Sequence, residues 1–364
     1  MRLQLTLASA ALVAGASMAH AQVDEPPRAT AALRVYADDD RVTVYSPSAS
    51  ATTLGPRDVA LDAAVTIDAV SAASIDVVST ASPYAFHEER VEGALGVAVP
   101  VARLHRARAR ATVSHERDYR ALRLSAGWRG ELAARNVTLD VTFTAGFDTV
   151  GRAGDPSFAR DRREHRLAVA LTQITDPRGY ADVVVEAADQ RGYLANPYRF
   201  VAIEMPTGPA YTLPERVPDE RTAIAGLVRV RRALAAADFA HADYRLSRDT
   251  WGITSHTASA RWTRALSDDE ILVGVELRGY LQDAARFHRA RYAGDAGAPP
   301  WRTRDRSLGA MASLTAGAVA EAVTPWRELR LSVSAAWVRF RWFDDPDQAE
   351  RDALIASVGL FLPL

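Results

Sequence analysis

The chain has 364 residues, no cysteine and a formal net charge of −1 at pH 7, with a sequence pI near 6.7. Thiolate-bound metals, iron–sulfur clusters and covalent c-type haem are therefore excluded. The near-neutral balance leaves no basic footprint for nucleic acid.

The amino terminus, MRLQLTLASAALVAGASMAHAQ, combines Arg2, an apolar stretch from Leu3 to Met18 and the small-x-small site Ala19-His20-Ala21. This pattern predicts a signal peptide over 1–21 and cleavage before Gln22. A periplasmic segment is expected over 22–30 and a barrel over 31–364. Beyond the leader no apolar run approaches the roughly 20 residues of a spanning helix. A mature chain resident in a membrane must then cross it as strands.

Alternation recurs along the chain. On residues 59–69, Val59, Leu61, Ala63, Val65 and Ile67 oppose Asp62, Thr66 and Asp68. On 105–116, Arg106, Arg108, Arg110 and Glu116 oppose Ala107, Ala109, Ala111 and Val113. On 136–147, Val137, Leu139, Val141, Phe143, Ala145 and Phe147 oppose Asn136, Thr138, Asp140, Thr142 and Thr144. On 269–282, Ile271, Val273, Val275, Leu277 and Leu281 oppose Glu270, Glu276, Arg278, Tyr280 and Gln282. Successive side chains of a strand point to opposite faces, so each segment has one dry and one charged side.

Strands are predicted at 31–37, 41–54, 58–70, 88–100, 104–116, 118–132, 136–149, 163–174, 179–190, 222–235, 239–249, 251–264, 269–282, 305–319, 328–342 and 352–364. One set of connections is always short, as at TLGPR near 55 and DPRG near 177. The other runs from tight turns at 38–40, 115–118 and 248–251 to long loops at 71–87, 150–162, 191–221, 283–304 and 343–351. The expected fold is all-β: a closed antiparallel transmembrane β-barrel of about 16 strands with short periplasmic turns and longer extracellular loops. Lipid outside demands closure, since hydrocarbon offers backbone groups no partner. Water inside then solvates Arg106, Arg108, Arg110, Arg123, Arg129, Asp62, Asp68, Glu92, Asp140, Arg229, Arg231, Glu276 and Arg278. Tyr36, Tyr45, Trp251, Trp262, Tyr280, Trp326, Trp342 and Phe343 are candidates for interfacial girdles.

No catalytic, metal or cofactor site is expected. Asp38-Asp39-Asp40 and Asp344-Asp345 read as polar turns or as carboxylate ligands for a divalent cation. His241 with Asp243, and Ser255-His256-Thr257, invite comparison with hydrolases, but Ser255 and His256 are neighbours on a strand and must diverge. Arg106, Arg108 and Arg110 form either an anion-attracting wall or a mesh with acids on adjacent strands.

The stretches RVTVYSPSAS (41–50), IDAVSAASIDVVSTASP (67–83), SHERDYRAL (114–122), ANPYRF (195–200), DYRLSRDTWGITSHT (243–257) and RGYLQDAARFHRARY (278–292) resemble an uncharacterised bacterial family, domain of unknown function 3570. Its members are taken to be outer-membrane barrels, so the resemblance implies that fold and export, and no site residues. VSAAS at 70–74 lacks the family's glycine, and the chain ends LFLPL where such barrels commonly end in an aromatic residue. The expected role is a channel, transporter or envelope scaffold of the outer membrane, with loop 71–87 folding inward. Expected partners are outer-membrane lipid, the barrel assembly machinery, and a small solute, an ion or an envelope protein. An outer-membrane enzyme with a loop-borne site and a soluble secreted ligand-binding β-protein are the alternatives.

Overall fold

A computed structural model describes residues 27–72, 86–267, 270–294, 299–326, 328–345 and 349–364. The strands are β1 (Arg28–Asp38), β2 (Val42–Leu54), β3 (Ala60–Ala72), β4 (Phe86–Ala102), β5 (His105–His115), β6 (Tyr119–Leu132), β7 (Val137–Val150), β8 (Arg160–Asp176), β9 (Gly179–Gly192), β10 (Phe200–Glu204), β11 (Tyr211–Pro214), β12 (Glu220–Ala233), β13 (Asp238–Asp249), β14 (Thr254–Leu266), β15 (Ile271–Gln282), β16 (Tyr292–Ala293), β17 (Met311–Val323), β18 (Arg330–Trp342) and β19 (Glu350–Pro363). All except β10, β11 and β16 join one closed antiparallel barrel. The sheet closes where β1 pairs β19, from Arg28↔Pro363 to Asp38↔Ala353. Every predicted strand has a counterpart in this barrel of sixteen strands. The predicted signal peptide and most of the 22–30 segment lie outside the described residues, as does the core of loop 71–87.

Alternation sorts side chains between two media. On β3, Leu61 is 48% and Ile67 41% exposed, whereas Asp62 between them is 5% exposed. Phe143 and Phe147 on β7, Leu95 on β4, and Val275 and Leu277 on β15 continue the outward apolar belt. Around a closed sheet such a belt is stable only against hydrocarbon, because it would otherwise form a contiguous wetted apolar surface. The class is therefore an all-β transmembrane barrel of the outer-membrane type.

In two strands that start later than expected, β17 and β14, a carboxylate accounts for the delay. Asp305 accepts from the Ser307 backbone N–H at 2.9 Å, which folds Arg306–Leu308 into a 3-10 turn and delays β17 to Met311. Asp249 Oδ1 accepts from the backbone N–H groups of Trp251 at 3.0 Å and Ile253 at 2.9 Å. That turn needs Gly252 at φ +96°, a left-handed value that favours glycine, and β14 begins only at Thr254.

The girdle expectation requires correction. Tyr45, Trp262, Trp326 and Phe343 are exposed, but Tyr36, Trp251 and Trp342 are buried and Tyr280 packs against a buried apolar cluster. Aromatic residues at strand ends follow the parity of their strand, and these four have the parity or the position of interior residues.

The long loops at 191–221 and 283–304 are not irregular throughout. β10 pairs antiparallel with β11 from Phe200↔Pro214 to Ile203↔Tyr211, and parallel with β16 at Ile203↔Tyr292. Val201, Ile203 and Tyr292 form one small core of this outer cap. Ala195, Val217, Trp251, Ile253, Ala285 and Leu308 form another. Tyr198 ties the cap to the β5–β6 turn by donating to Asp118.

Candidate functional site

The candidate site is the barrel interior. Its arginines are organised by glycines on the neighbouring strands. Arg110 faces Gly96 of β4, which in turn faces Asp62 of β3. The guanidinium crosses the glycine and pairs with Asp62. A Cβ on Gly96 would overlap Asp62 Oδ1, so the row is spatially complete only with glycine at its centre. In the other direction Arg108 faces Gly127 of β6. It donates from Nη2 to both carboxylate oxygens of Asp140 on β7 at 2.6 Å each, and to Thr142 Oγ1 at 3.3 Å. Charge-assisted contacts of this kind favour a fixed side-chain geometry.

The other predicted interior charges share this face. Arg106 donates to the Asp58 carbonyl at 2.6 Å, and Arg129 sits opposite Asp140 in the β6–β7 register. Arg229 lies 3.5 Å from Asp182, and Arg231 donates to Tyr180 Oη at 2.7 Å. Glu276 accepts from Arg261 Nε at 2.7 Å. Arg278 is buried, its guanidinium carbon 5.8 Å from the Tyr280 ring centroid. Sequence reasoning missed Arg90, Arg162, Arg166, Arg245, Asp148, Glu164 and Glu186. Strand parity was the signal that could have found them, because they occupy the same alternating face. Arg108 and Arg110 are thus ion-paired, though with acids two strands away and not on adjacent strands as the mesh was expected to be, and Arg106 is held by a backbone carbonyl.

Arg108, Arg110 and Arg123 line a cavity of about 650 Å³ together with Glu92, Glu164, Arg166 and hydroxyls such as Ser48, Ser125 and Thr144. Towards the long-loop end the same interior turns apolar. Tyr36, Val42, Val44, Val70, Met311, Val338, Phe340, Trp342 and Ala353 pack into one buried cluster. Val44 and Phe340 are 1% exposed, so water does not reach them. The interior is accordingly not wet along its whole length, as the sequence reading expected.

Of the pairs weighed for catalysis, Ser255 and His256 diverge, and His241 approaches Asp243 without a hydrogen bond. Ser255 is 5% exposed and bonds Ser247 Oγ at 2.6 Å. His256 points to the opposite face and bonds Tyr244 Oη at 2.6 Å. His241 Nε2 lies 3.7 Å from Asp243 Oδ1, and Ser259 donates to that same oxygen at 2.6 Å. The Asp243 carboxylate, not the His241 imidazole, receives the Ser259 hydroxyl, so His241 is not the base of that serine. Asp38 and Asp40 are held by Arg351 and Asp345 by Arg306 at 2.5 Å. The acidic turns are therefore ion-paired, and no metal-ligating cluster occurs among the described residues.

An interior of this construction inside a closed sixteen-stranded sheet defines an outer-membrane-type barrel. The chain belongs to the family described as Protein of unknown function (DUF3570), which matches residues 152–333, half of its length. No curated protein matches the chain. Among solved structures, it is similar to the siderophore receptor PirA from Pseudomonas aeruginosa, with TM-score 0.48 and 11% identity over 91% of this chain and 61% of that one. It is similar to CdiB from Acinetobacter baumannii, with TM-score 0.53 and 7% identity over 92% of this chain and 60% of that one. OccK2 (OpdF) from Pseudomonas aeruginosa gives TM-score 0.45 and 9% identity over 93% and 98%. The chain spans between 53% and 61% of the length of the siderophore and enterobactin receptors it matches. At these identities the likeness concerns the fold.

Proposed function

We propose that this protein is an outer-membrane channel for small polar solutes or ions. The observation that carries the reading is the cavity of about 650 Å³ whose lining sets charged side chains and hydroxyls among small apolar residues. A water-filled interior is the medium that solvates such groups inside a sheet whose outer face meets lipid. The apolar cluster and the cap at the outer end make it a restricted pore. Insertion through the barrel assembly machinery and residence among outer-membrane lipids belong to the same reading. The test is reconstitution of the mature chain into planar bilayers. Discrete conductance steps are expected. A silent membrane into which insertion has been demonstrated would overturn the channel in favour of an envelope scaffold.

That second reading has its own support, because the interior mesh and the loop-to-loop ties make a rigid support for an envelope protein. A soluble role conflicts with the outward belt. Heat-modifiable migration of detergent-extracted membranes on a gel, with none of the chain in the detergent-free fraction, separates the two.

A further inference from the structure

Three interior rows share one plan: an arginine, a glycine on the next strand, and an acid or hydroxyl on the strand beyond. Arg110, Gly96 and Asp62 make the first, and Arg108, Gly127 and Thr142, with Asp140 one interior position away, make the second. The third is Arg123 on β6, Gly146 on β7 and Glu164 on β8. In the first two the arginine reaches its carboxylate. In the third Glu164 is engaged elsewhere: by Arg166 at 2.9 Å, by Arg162 at 3.6 Å and by Gln190 Nε2 at 3.0 Å. Arg123 has no hydrogen-bond or ion-pair partner among the described residues, and it lines the cavity.

We propose that Arg123 is the centre of an oxyanion-binding subsite within the barrel, which takes the carboxylate or phosphate group of a small solute. The proposal deepens the channel reading and rests on it for the route by which the solute arrives. Charge supports it. Arg123, Arg162 and Arg166 face two carboxylates in this sector, Glu164 and Asp148, and Asp148 already receives the Tyr119 hydroxyl. One positive charge is left over, while Arg108 and Arg110 nearby are balanced by Asp140 and Asp62. Shape supports it too. Gly146 presents no side chain between Arg123 and Glu164: a Cβ there would stand 3.4 Å from Glu164 Cβ and 3.8 Å from Arg123 Cγ. Ser125 and Thr144 place hydroxyls on the same cavity wall. A guanidinium fork matches two oxygens of an oxyanion and has no such match to a spherical halide. Glu92, which lines the same cavity and pairs with Arg90, keeps another part of the wall unfavourable to anions.

The test uses the full barrel in detergent, titrated by calorimetry with inorganic phosphate, succinate and chloride at constant ionic strength, with bilayer recordings on the same preparation. Saturable binding of phosphate, succinate or both is expected, with no comparable binding of chloride; which of the two binds tells a phosphate from a carboxylate source. Arg123→Gln, folded as judged by heat-modifiability, should weaken it about tenfold or more, the loss of a charge-assisted hydrogen bond. Arg123→Lys should recover only part of the affinity. Equal binding of chloride, no binding by the unaltered protein, or unchanged affinity in Arg123→Gln would overturn the subsite. Conductance without oxyanion binding sinks the subsite and leaves the channel. Binding lost in Arg123→Gln on a protein that never conducts sinks the channel and leaves the subsite.

Discussion

Arg351 on the last strand crosses the seam of the barrel to Asp40, beyond the end of the first: Nη2 lies 2.5 Å from Oδ2. Its Nη1 is also 3.5 Å from Asp38 on β1. The Arg351 side chain is 9% exposed and the Asp40 side chain 2%, so the contact is a buried ion pair that locks the point where the sheet closes. The backbone ladder between β1 and β19 closes the sheet there in any sequence, and Arg351 fixes its outer end. Arg351→Ala removes the cation shared by two buried carboxylates, a change worth about 3–5 kcal/mol. The expected outcome is a lower temperature for the shift from folded to unfolded migration on a heat-modifiability gel. Arg351→Met combined with Asp40→Asn should recover much of the loss. An unchanged transition in Arg351→Ala would mean that the seam does not depend on this pair.

The outer cap carries two buried groups whose responses to pH have opposite signs. Glu215 accepts from the Asn196 backbone N–H at 2.5 Å and from Thr303 Oγ1. Burial raises its pKa above the ordinary carboxylate value, against the opposing pull of Arg199. Burial also lowers the pKa of His288, with Asp305, Asp344 and Asp345 opposing and Arg199 reinforcing that shift. For Glu215 the folded state holds its proton more tightly than the unfolded chain does. Its contribution to stability is full below about 4.5 and is lost as pH rises through the folded value. For His288 the folded state resists protonation. Its contribution is full above about 6.5 and is lost as pH falls through the folded value. Glu215→Gln should therefore slow amide exchange in 199–216 at pH 7 relative to the unaltered protein. His288→Gln should reduce the acid-side acceleration of exchange in 285–306 on going from pH 7 to pH 5. If neither variant changes the pH dependence, other groups in the cap govern it.

The sixteen barrel strands were legible because each carries a period-two pattern whose two faces meet different solvents, as Leu61 and Asp62 do on β3. That the charges of a strand share one face was legible by the same parity. Their pairing was not. Arg110 finds Asp62 two strands away only because Gly96 lies opposite both, and that coincidence depends on strand register, which hairpin geometry fixes over long distances. The cap escaped for a different reason. β10, β11 and β16 are 5, 4 and 2 residues long, too short for a periodic signal, and two distant loops must meet before they pair. The apolar outer interior escaped because Val42, Val44, Val338 and Phe340 look the same in sequence whether their strand end meets lipid or packs inward.

That inward packing makes the last prediction. Phe340 is 1% exposed and stacks on Trp342, with centroids 5.7 Å apart and planes 19° from parallel. Around them Val44, Tyr36, Met311 and Val338 complete the cluster. These residues project inward from strands that flank the β1–β19 seam, at the end nearer the long loops. Phe340→Ala removes a ring that nothing small can replace, at a cost of about 3–5 kcal/mol. It should lower the gel transition temperature. If the cluster is the narrow point of the pore, it should also raise single-channel conductance, whereas Phe340→Leu, which keeps most of the volume, should leave conductance close to that of the unaltered protein. Loss of stability without any rise in conductance would place the narrowing elsewhere and make the cluster a purely structural plug of the barrel wall.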